Sequence, residues 1–161
     1  MNRMYRGFVS LAALALSAAL GSEALAQAGP YQYYAVTPCR VLDTRDPNPT
    51  LNQGGILNSG GSGRNFTVQS RCGVPAGAKA ATINVTITGP TTAGYLTLWP
   101  TGGAQPVVST INFNQGEPAL ANGAIVPLAA ATPDLSIFYG VGIGGSFTVH
   151  VILDVTGYFA P

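Results

Sequence analysis

The feature that most constrains this chain is a period-two alternation of apolar and polar residues. In ATINVTITG, residues 81–89, the apolar residues Ile83, Val85 and Ile87 alternate with threonine and asparagine. Successive side chains of a strand point to opposite faces, so one face of this run is predicted to lie in a core and the other to form a hydroxyl-rich surface. The last run, SFTVHVILDVTGYF at residues 146–159, alternates in the same way. Both runs are therefore predicted to be strands.

Similar short runs fill the chain from residue 31 onward, and none has helical periodicity. They are YQYYAV (31–36), TPCRVLDTRD (37–46), NFTVQ (65–69), YLTLW (95–99), VVSTINF (107–113), AIVPL (124–128) and LSIFY (135–139). Clusters of Gly, Pro and Asn separate the runs and supply the backbone angles of turns. About eight or nine such strands predict an all-β fold, an antiparallel jelly-roll-like β-sandwich, with an immunoglobulin-type sandwich as the alternative. The one long predicted loop, Asp46 to Gly63, ends in SGGSG, which favours flexibility.

The first 26 residues have the order of a secretory signal peptide. Arg3 and Arg6 precede the apolar run FVSLAALALSAAL (8–20), and small residues follow up to Ala26. The apolar run is too short to span a bilayer and no second stretch of about 20 apolar residues follows, so we expect no membrane insertion of the mature chain. The predicted organisation is a signal peptide at 1–26 and a single β-sandwich domain at 27–161, secreted to the periplasm, the cell surface or the medium.

The exported part is predicted to be neutral. Removing Arg3, Arg6 and Glu23 lowers Lys plus Arg from 7 to 5 and Asp plus Glu from 6 to 5. A neutral chain offers no basic surface to nucleic acid and no charge attraction to an anionic membrane.

The chain has 2 cysteines, Cys39 and Cys72, and both lie in the exported part. In an oxidising compartment an even pair predicts a disulfide, because a metal site needs more ligands than two cysteines and one distant histidine. Closing a loop of about 33 residues stabilises a fold by roughly 3 to 4 kcal/mol.

The stretch TPCRVLDTRD, residues 37–46, concentrates charge in a chain that otherwise has little. If its cysteine and Val41 face the core, the period of two places Asp43 and Arg45 on that same face. A lone buried charge is unfavourable, so such groups must pair. We therefore predict a structural ion-pair network in which Arg40 or Arg45 binds Asp43 or Asp154 and ties the first strand to the last.

Residues suited to catalysis are sparse. The single histidine, His150, lies on a predicted strand about 13 Å from Asp154, which is too far for a direct hydrogen bond. Acid–base or nucleophilic chemistry needs a base that is held by an orienting group. We therefore expect neither an enzyme nor a bound cofactor.

The start of the long loop offers oxygen ligands. Asp43, Asp46 and Asn48 alternate there and are the candidates for calcium. They lack the spacing of an EF-hand, and β-turns use the same residue types, so the prediction is no metal site.

Tyr95, Thr97 and Trp99 share one face of a predicted strand. Two aromatic rings about 13 Å apart on an exposed face can stack on a sugar chain or form the centre of a protein interface. The alternative is that these rings fill the core, where large aromatic side chains are also common.

Five segments carry a wider resemblance: TPCRVLDTR, CGVPAGAKAATINVTITGP, GYLTLWPTGGAQPVVSTINFNQGE, ANGAIVPL and VILDVTGYF. In this order they resemble a family of secreted bacterial β-sandwich modules, which is marked by an N-terminal PxRLLDTR-like motif and a C-terminal DVxGYF-like strand. The resemblance implies a non-catalytic extracellular module. Leu120 stands where many relatives carry a basic residue.

The sequence thus predicts an exported, non-enzymatic module that works at the cell surface or outside the cell. One hypothesis is a structural or adhesive module that assembles with copies of itself, because neutral, apolar strands can pair edge to edge. The alternative is a module that binds a carbohydrate or a cell-wall polymer. Its partners would be a glycan or a protein at the cell surface, or copies of itself.

Overall fold

The computed structural model describes residues 29–161, so the predicted signal peptide at 1–26 lies outside the described residues. No helix in the described part is long and apolar enough to cross a membrane. The elements are β1 (Gln32–Asp43), α1 (Pro49–Asn52), β2 (Leu57–Asn58), β3 (Arg64–Phe66), β4 (Ala80–Thr88), β5 (Gly94–Pro100), β6 (Ile111–Phe113), β7 (Leu120–Pro127), β8 (Leu135–Gly140) and β9 (Thr148–Ala160).

The strands form two antiparallel sheets whose pairings are nested. The first sheet has the order β1-β9-β4-β7, with the short β2 also paired to β9, and the second has the order β3-β8-β5-β6. The first strand thus pairs with the last, β3 with β8, β4 with β7 and β5 with β6. A chain doubled back on itself and wrapped in this way is a jelly roll. The predicted all-β, jelly-roll-like sandwich is therefore confirmed.

The hydrophobic core lies between the inner faces of the two sheets. Ile83, Val85 and Ile87 of β4 are at most 1% exposed, as their period of two predicts. Alternate residues of β9 are buried in the same way. The side chains of the second sheet that pack against them are larger: Leu96, Ile111, Phe113, Leu135, Ile137 and Tyr139.

The run VVSTINF forms a shorter strand than predicted. Only Ile111–Phe113 is β6, whereas Val107 and Val108 lie exposed in the loop before it. That loop, residues 101–110, folds back over the outer face of the second sheet. The Thr97 hydroxyl donates to the carbonyl of Val108 at 2.6 Å, and the Trp99 indole donates to the carbonyl of Gly103 at 3.1 Å. These tertiary hydrogen bonds override the local β propensity of the two valines.

The segment from residue 46 to 63 is more ordered than its glycine content predicts. Asn48 caps the single helical turn α1, and the Gln53 amide donates to the carbonyl of Val41 at 2.9 Å and accepts from the Thr67 backbone at 2.8 Å. Within SGGSG, the backbone of Ser59 donates to the carbonyl of Phe147 at 2.8 Å. Hydrogen bonds of this kind join the segment to both sheets.

The disulfide between Cys39 and Cys72 is confirmed, with a Cα–Cα distance of 5.6 Å. It joins β1 to the connection between β3 and β4. The bridge closes a loop with a sequence separation of 33 residues, and roughly 3 to 4 kcal/mol of stabilisation is the chain-entropy value for such a loop.

Candidate functional site

An extra residue in β1 decides which charged side chains meet at the two chain ends. The pairing of β1 with β9 skips Val41, which forms a β-bulge. Asp43 therefore lies opposite Ile152, on the outer face that also carries Arg40 and Asp154. A shift of one residue moves every following side chain to the other face. The bulge therefore changes the face that the period of two assigned to Asp43, although its side chain is still buried, with 5% exposed.

Arg40 joins the first strand to the last. Its Nε lies 2.9 Å from Asp154 Oδ1 and its Nη2 lies 3.3 Å from Oδ2, while its Nη1 lies 3.1 Å from Asp43 Oδ2. The planar guanidinium matches the two oxygens of a carboxylate, so the contact fixes orientation as well as distance. Of the pairings that the sequence left open, the one to Asp154 is made by Arg40, and no contact joins Arg45 to Asp154 within residues 29–161.

Arg45 binds Asp43 instead, from the start of the loop after β1. Its Nε and Nη2 lie 2.9 and 2.8 Å from the two carboxylate oxygens of Asp43. The hydrogen bond from Arg45 lowers the pKa of Asp43 to about 2, against the opposing effect of burial. Both carboxylates of this ion-pair cluster (Arg40, Asp43, Arg45, Asp154) are thus occupied by guanidinium groups, and neither is placed to act as a free base.

His150 is held by a hydroxyl group rather than by a carboxylate. Its Nδ1 lies 3.0 Å from Thr44 Oγ1, which also accepts from the backbone of Val151 at 2.9 Å. A threonine hydroxyl that accepts one backbone hydrogen bond still has a proton to donate and a second lone pair, so it can pair with Nδ1 in either neutral tautomer of the ring. Burial lowers the pKa of His150, and the nearby positive charge of Arg45 lowers it further. The contact joins the residue after β1 to β9 at the corner of the sandwich.

The calcium candidates use their oxygens within the chain. Asp43 is bound by two arginines, Asp46 accepts from the backbone of Asn48 at 2.7 Å, and Asn48 accepts from the backbone of Thr50 at 3.0 Å. These are the local hydrogen bonds of turns and of a helix cap. In the described range, no group of three or more His, Cys, Asp or Glu side chains is placed to hold a metal ion.

The face of β5 that carries Tyr95, Thr97 and Trp99, the aromatic platform considered from the sequence, is mostly covered. Thr97 is 0% exposed and Trp99 is 6% exposed, because the 101–110 loop lies over them. Gly63 packs so closely that a Cβ atom there would come within 2.9 Å of Trp99 Cη2. Tyr95 alone of the three keeps partial access to solvent. The prediction of one exposed face shared by Tyr95, Thr97 and Trp99 is therefore wrong.

The sequence reading missed a buried carboxylate, Asp134. It is 0% exposed and accepts from the backbone amides of Val68 and Gln69 at 3.0 and 2.9 Å. Burial raises its pKa, while these hydrogen bonds oppose the increase. Asp134 joins the residues after β3 to the start of β8, and in the sequence it looks like one more turn residue of AATPD.

Strand β7 has a long open edge. The strand begins at Leu120, four residues before the start that the sequence predicts, Ala124. It pairs only with β4 and runs from Leu120 to Pro127 without a charged residue. Leu120 and Ile125 are 36% and 63% exposed. The other edges differ, because β3 and β6 have three residues each and β1 is interrupted by Pro38.

No protein-family model matches the chain, and neither a curated protein nor a solved structure matches it. The resemblance seen in the five sequence segments stays a prediction.

The Arg40–Asp154 contact is tested by a double-mutant cycle with Arg40→Gln and Asp154→Asn. We expect a coupling of about 0.5 to 1 kcal/mol in the free energy of unfolding, because the pair is bidentate but half exposed. A parallel cycle with Arg45→Gln and Asp154→Asn is the matched control and should give a much smaller coupling, because these two residues are linked only through Asp43 and Arg40. Equal coupling in the two cycles would contradict the assignment.

We expect the Asp43 carboxylate to make part of the free energy of unfolding sensitive to acid. Its pKa in the folded state is about 2, below the ordinary value, so its ionised form stabilises the fold at neutral pH. That stabilisation, about 1 to 2 kcal/mol with both arginines half exposed to screening, should disappear as the pH falls from about 4 to about 2. Urea unfolding across this range measures it.

The control for the acid titration is Asp46→Asn, which changes a neighbouring carboxylate that makes no arginine contact within the described chain. Asp43→Asn should flatten the stability profile between about pH 4 and pH 2, and Asp46→Asn should leave it unchanged. If Asp43→Asn and the wild type lose stability in parallel, Asp43 is not the responsible group.

Proposed function

We propose that the chain is an exported, non-enzymatic module that assembles with copies of itself through the open edge of β7. The observation that carries this proposal is the length and neutrality of that edge. An edge strand presents unpaired backbone N–H and C=O groups, and proteins that stay monomeric usually block them with charges, proline, bulges or a covering loop. Strand β7 has no charged residue, and its one proline, Pro127, is its last residue.

A second copy is a chemically suitable partner for this edge. Two β7 strands can pair antiparallel about a two-fold axis, which brings the same surface of each copy together. Because the strand carries no charge, this self-pairing places no like charges opposite each other. It would join the five-stranded first sheets of the two copies into one continuous sheet of ten strands.

Exposed apolar side chains lie beside the same edge. Asn122 donates to the carbonyl of Thr110 at 2.7 Å and so holds the 101–110 loop next to β7. That loop carries Val107 and Val108, which are 103% and 60% exposed. Apolar side chains next to a free edge would add buried area to edge pairing.

Two further features support an extracellular role. The Cys39–Cys72 disulfide fits an oxidising compartment, as does the predicted signal peptide. The ion-pair cluster and His150 make internal hydrogen bonds that stabilise the corner of the sandwich. These contacts support a structural role for residues that could otherwise be read as an active site.

The edge is tested with the double variant Ala121→Lys, Ile125→Lys, in size-exclusion chromatography with light scattering over a range of protein concentrations. We expect the wild type to form dimers or larger assemblies as its concentration rises. The variant should weaken self-association at least about tenfold, because antiparallel pairing would bring lysines of the two copies close together.

The matched control is Ile143→Lys, which changes an isoleucine of similar exposure, 61%, in the turn between β8 and β9. It should leave assembly unchanged. A wild-type protein that is monomeric at every concentration would contradict the proposal. So would an Ile143→Lys effect equal to that of the edge variant.

A further inference from the structure

A groove lies beside Tyr95 on the outer face of the second sheet. Tyr95 and Asn112 are register partners on β5 and β6 and form one side of it, and residues 105–109 of the covering loop form the other. Its volume is about 500 Å³, within the range of about 300 to 1,000 Å³ that is usual for ligand pockets. We call it the Tyr95 groove.

The Tyr95 ring is held in place before any ligand binds. It lies directly over Gly140, where a Cβ atom would overlap the ring. Its centroid is 6.2 Å from that of Phe138, with the two rings tilted by 58°. A ring that is fixed in this way loses little conformational freedom when a ligand stacks on it.

The groove also offers uncharged hydrogen-bonding groups. The Gln105 side chain and the Tyr95 hydroxyl have no hydrogen-bond partner within the described part of the chain. The Asn112 amide donates to Ser109 Oγ at 2.9 Å, which leaves its carbonyl oxygen free to accept. No lysine, arginine, aspartate, glutamate or histidine lines the groove.

We propose that the Tyr95 groove binds a neutral oligosaccharide. A sugar ring presents an apolar C–H face, which fits an aromatic ring and the neighbouring valines, and hydroxyl groups at its edge, which fit amide donors and acceptors. A charged ligand would find no counter-ion here, and a purely apolar ligand would leave the Gln105 amide and the Asn112 side-chain oxygen without partners. This site differs from the platform expected from the sequence, because Thr97 and Trp99 are buried and residues 105–109 replace them.

The inference does not depend on assembly through β7. The binding experiment is therefore carried out on the wild type and on the Ala121→Lys, Ile125→Lys variant. Saccharide binding that persists in the edge variant supports the groove even if edge pairing fails. Edge pairing without saccharide binding rejects the groove alone.

The test is an NMR titration of the isotope-labelled protein with cellotetraose, chitotetraose and maltotetraose. We expect at least one of these probes to shift the backbone amides of residues 94–96 and 105–112, with a dissociation constant of about 0.1 to 1 mM. Tyr95→Ala should weaken binding at least about tenfold, whereas Tyr95→Phe keeps the ring and should retain most of the affinity. Gln105→Ala, in the exposed loop, should weaken binding several-fold without affecting the fold.

The control is Tyr33→Ala, which removes an exposed aromatic ring from the other sheet. It should leave the affinity unchanged. The proposal is overturned if no probe shifts the groove amides at about 10 mM, or if Tyr95→Ala and Gln105→Ala bind as the wild type does. It is also overturned if the shifts lie outside the groove, or if the groove takes a short peptide and no saccharide.

Discussion

The pairing of β1 with β9 is the constraint on which the rest of this structure depends. Strand β9 lies between β1 and β4, so the first sheet is complete only when the end of the chain has returned to its beginning. Arg40 and Asp154 meet across a sequence separation of 114 residues. Ordering so long a loop is entropically unfavourable, and the contacts that repay it are the ladder of backbone hydrogen bonds, the buried side chains of β9 and the bidentate ion pair. The bulge at Val41 is part of this pairing, because it places Asp43 within reach of both arginines.

This closure leaves the two edges of the first sheet unlike each other. At β1, Pro38 interrupts the strand, and Cys72 is bound to the neighbouring Cys39. At β7, eight residues without charge remain open along one side. The first sheet therefore has one edge interrupted by a proline and joined to a disulfide, and one uncharged edge at β7. The Tyr95 groove lies on the second sheet, and Val107 and Val108 of its loop also lie beside the β7 edge, so a ligand in the groove and a second copy at β7 would use adjoining surfaces of the same small domain.

Much of the fold could be predicted because its signal is local. The period of two in ATINVTITG identifies β4 and its buried face, and two cysteines in a chain that is predicted to be exported leave one pairing. The errors arise where one tertiary contact changes a local pattern. A single bulged residue reverses the side-chain parity after Val41, and no periodicity reveals it beforehand. The hydrogen bond from Thr97 to Val108 holds Val107 and Val108 in the 101–110 loop, where the sequence predicts a strand. The same loop covers Trp99. The candidate sites were therefore harder to predict than the sheets. The β7 edge and the Tyr95 groove both depend on which strand a loop covers and which strand is left open.

The central claim, that β7 is the edge where copies of this chain meet, is tested most directly by hydrogen exchange of its backbone amides at low and high protein concentration. If copies meet at β7, exchange at alternate residues between Leu120 and Val126 should slow as the concentration rises, because those amides gain partners on a second copy. The amides of β1 should exchange at rates that do not depend on concentration. Concentration-independent exchange along β7, or protection that appears at β1 instead, would contradict the account.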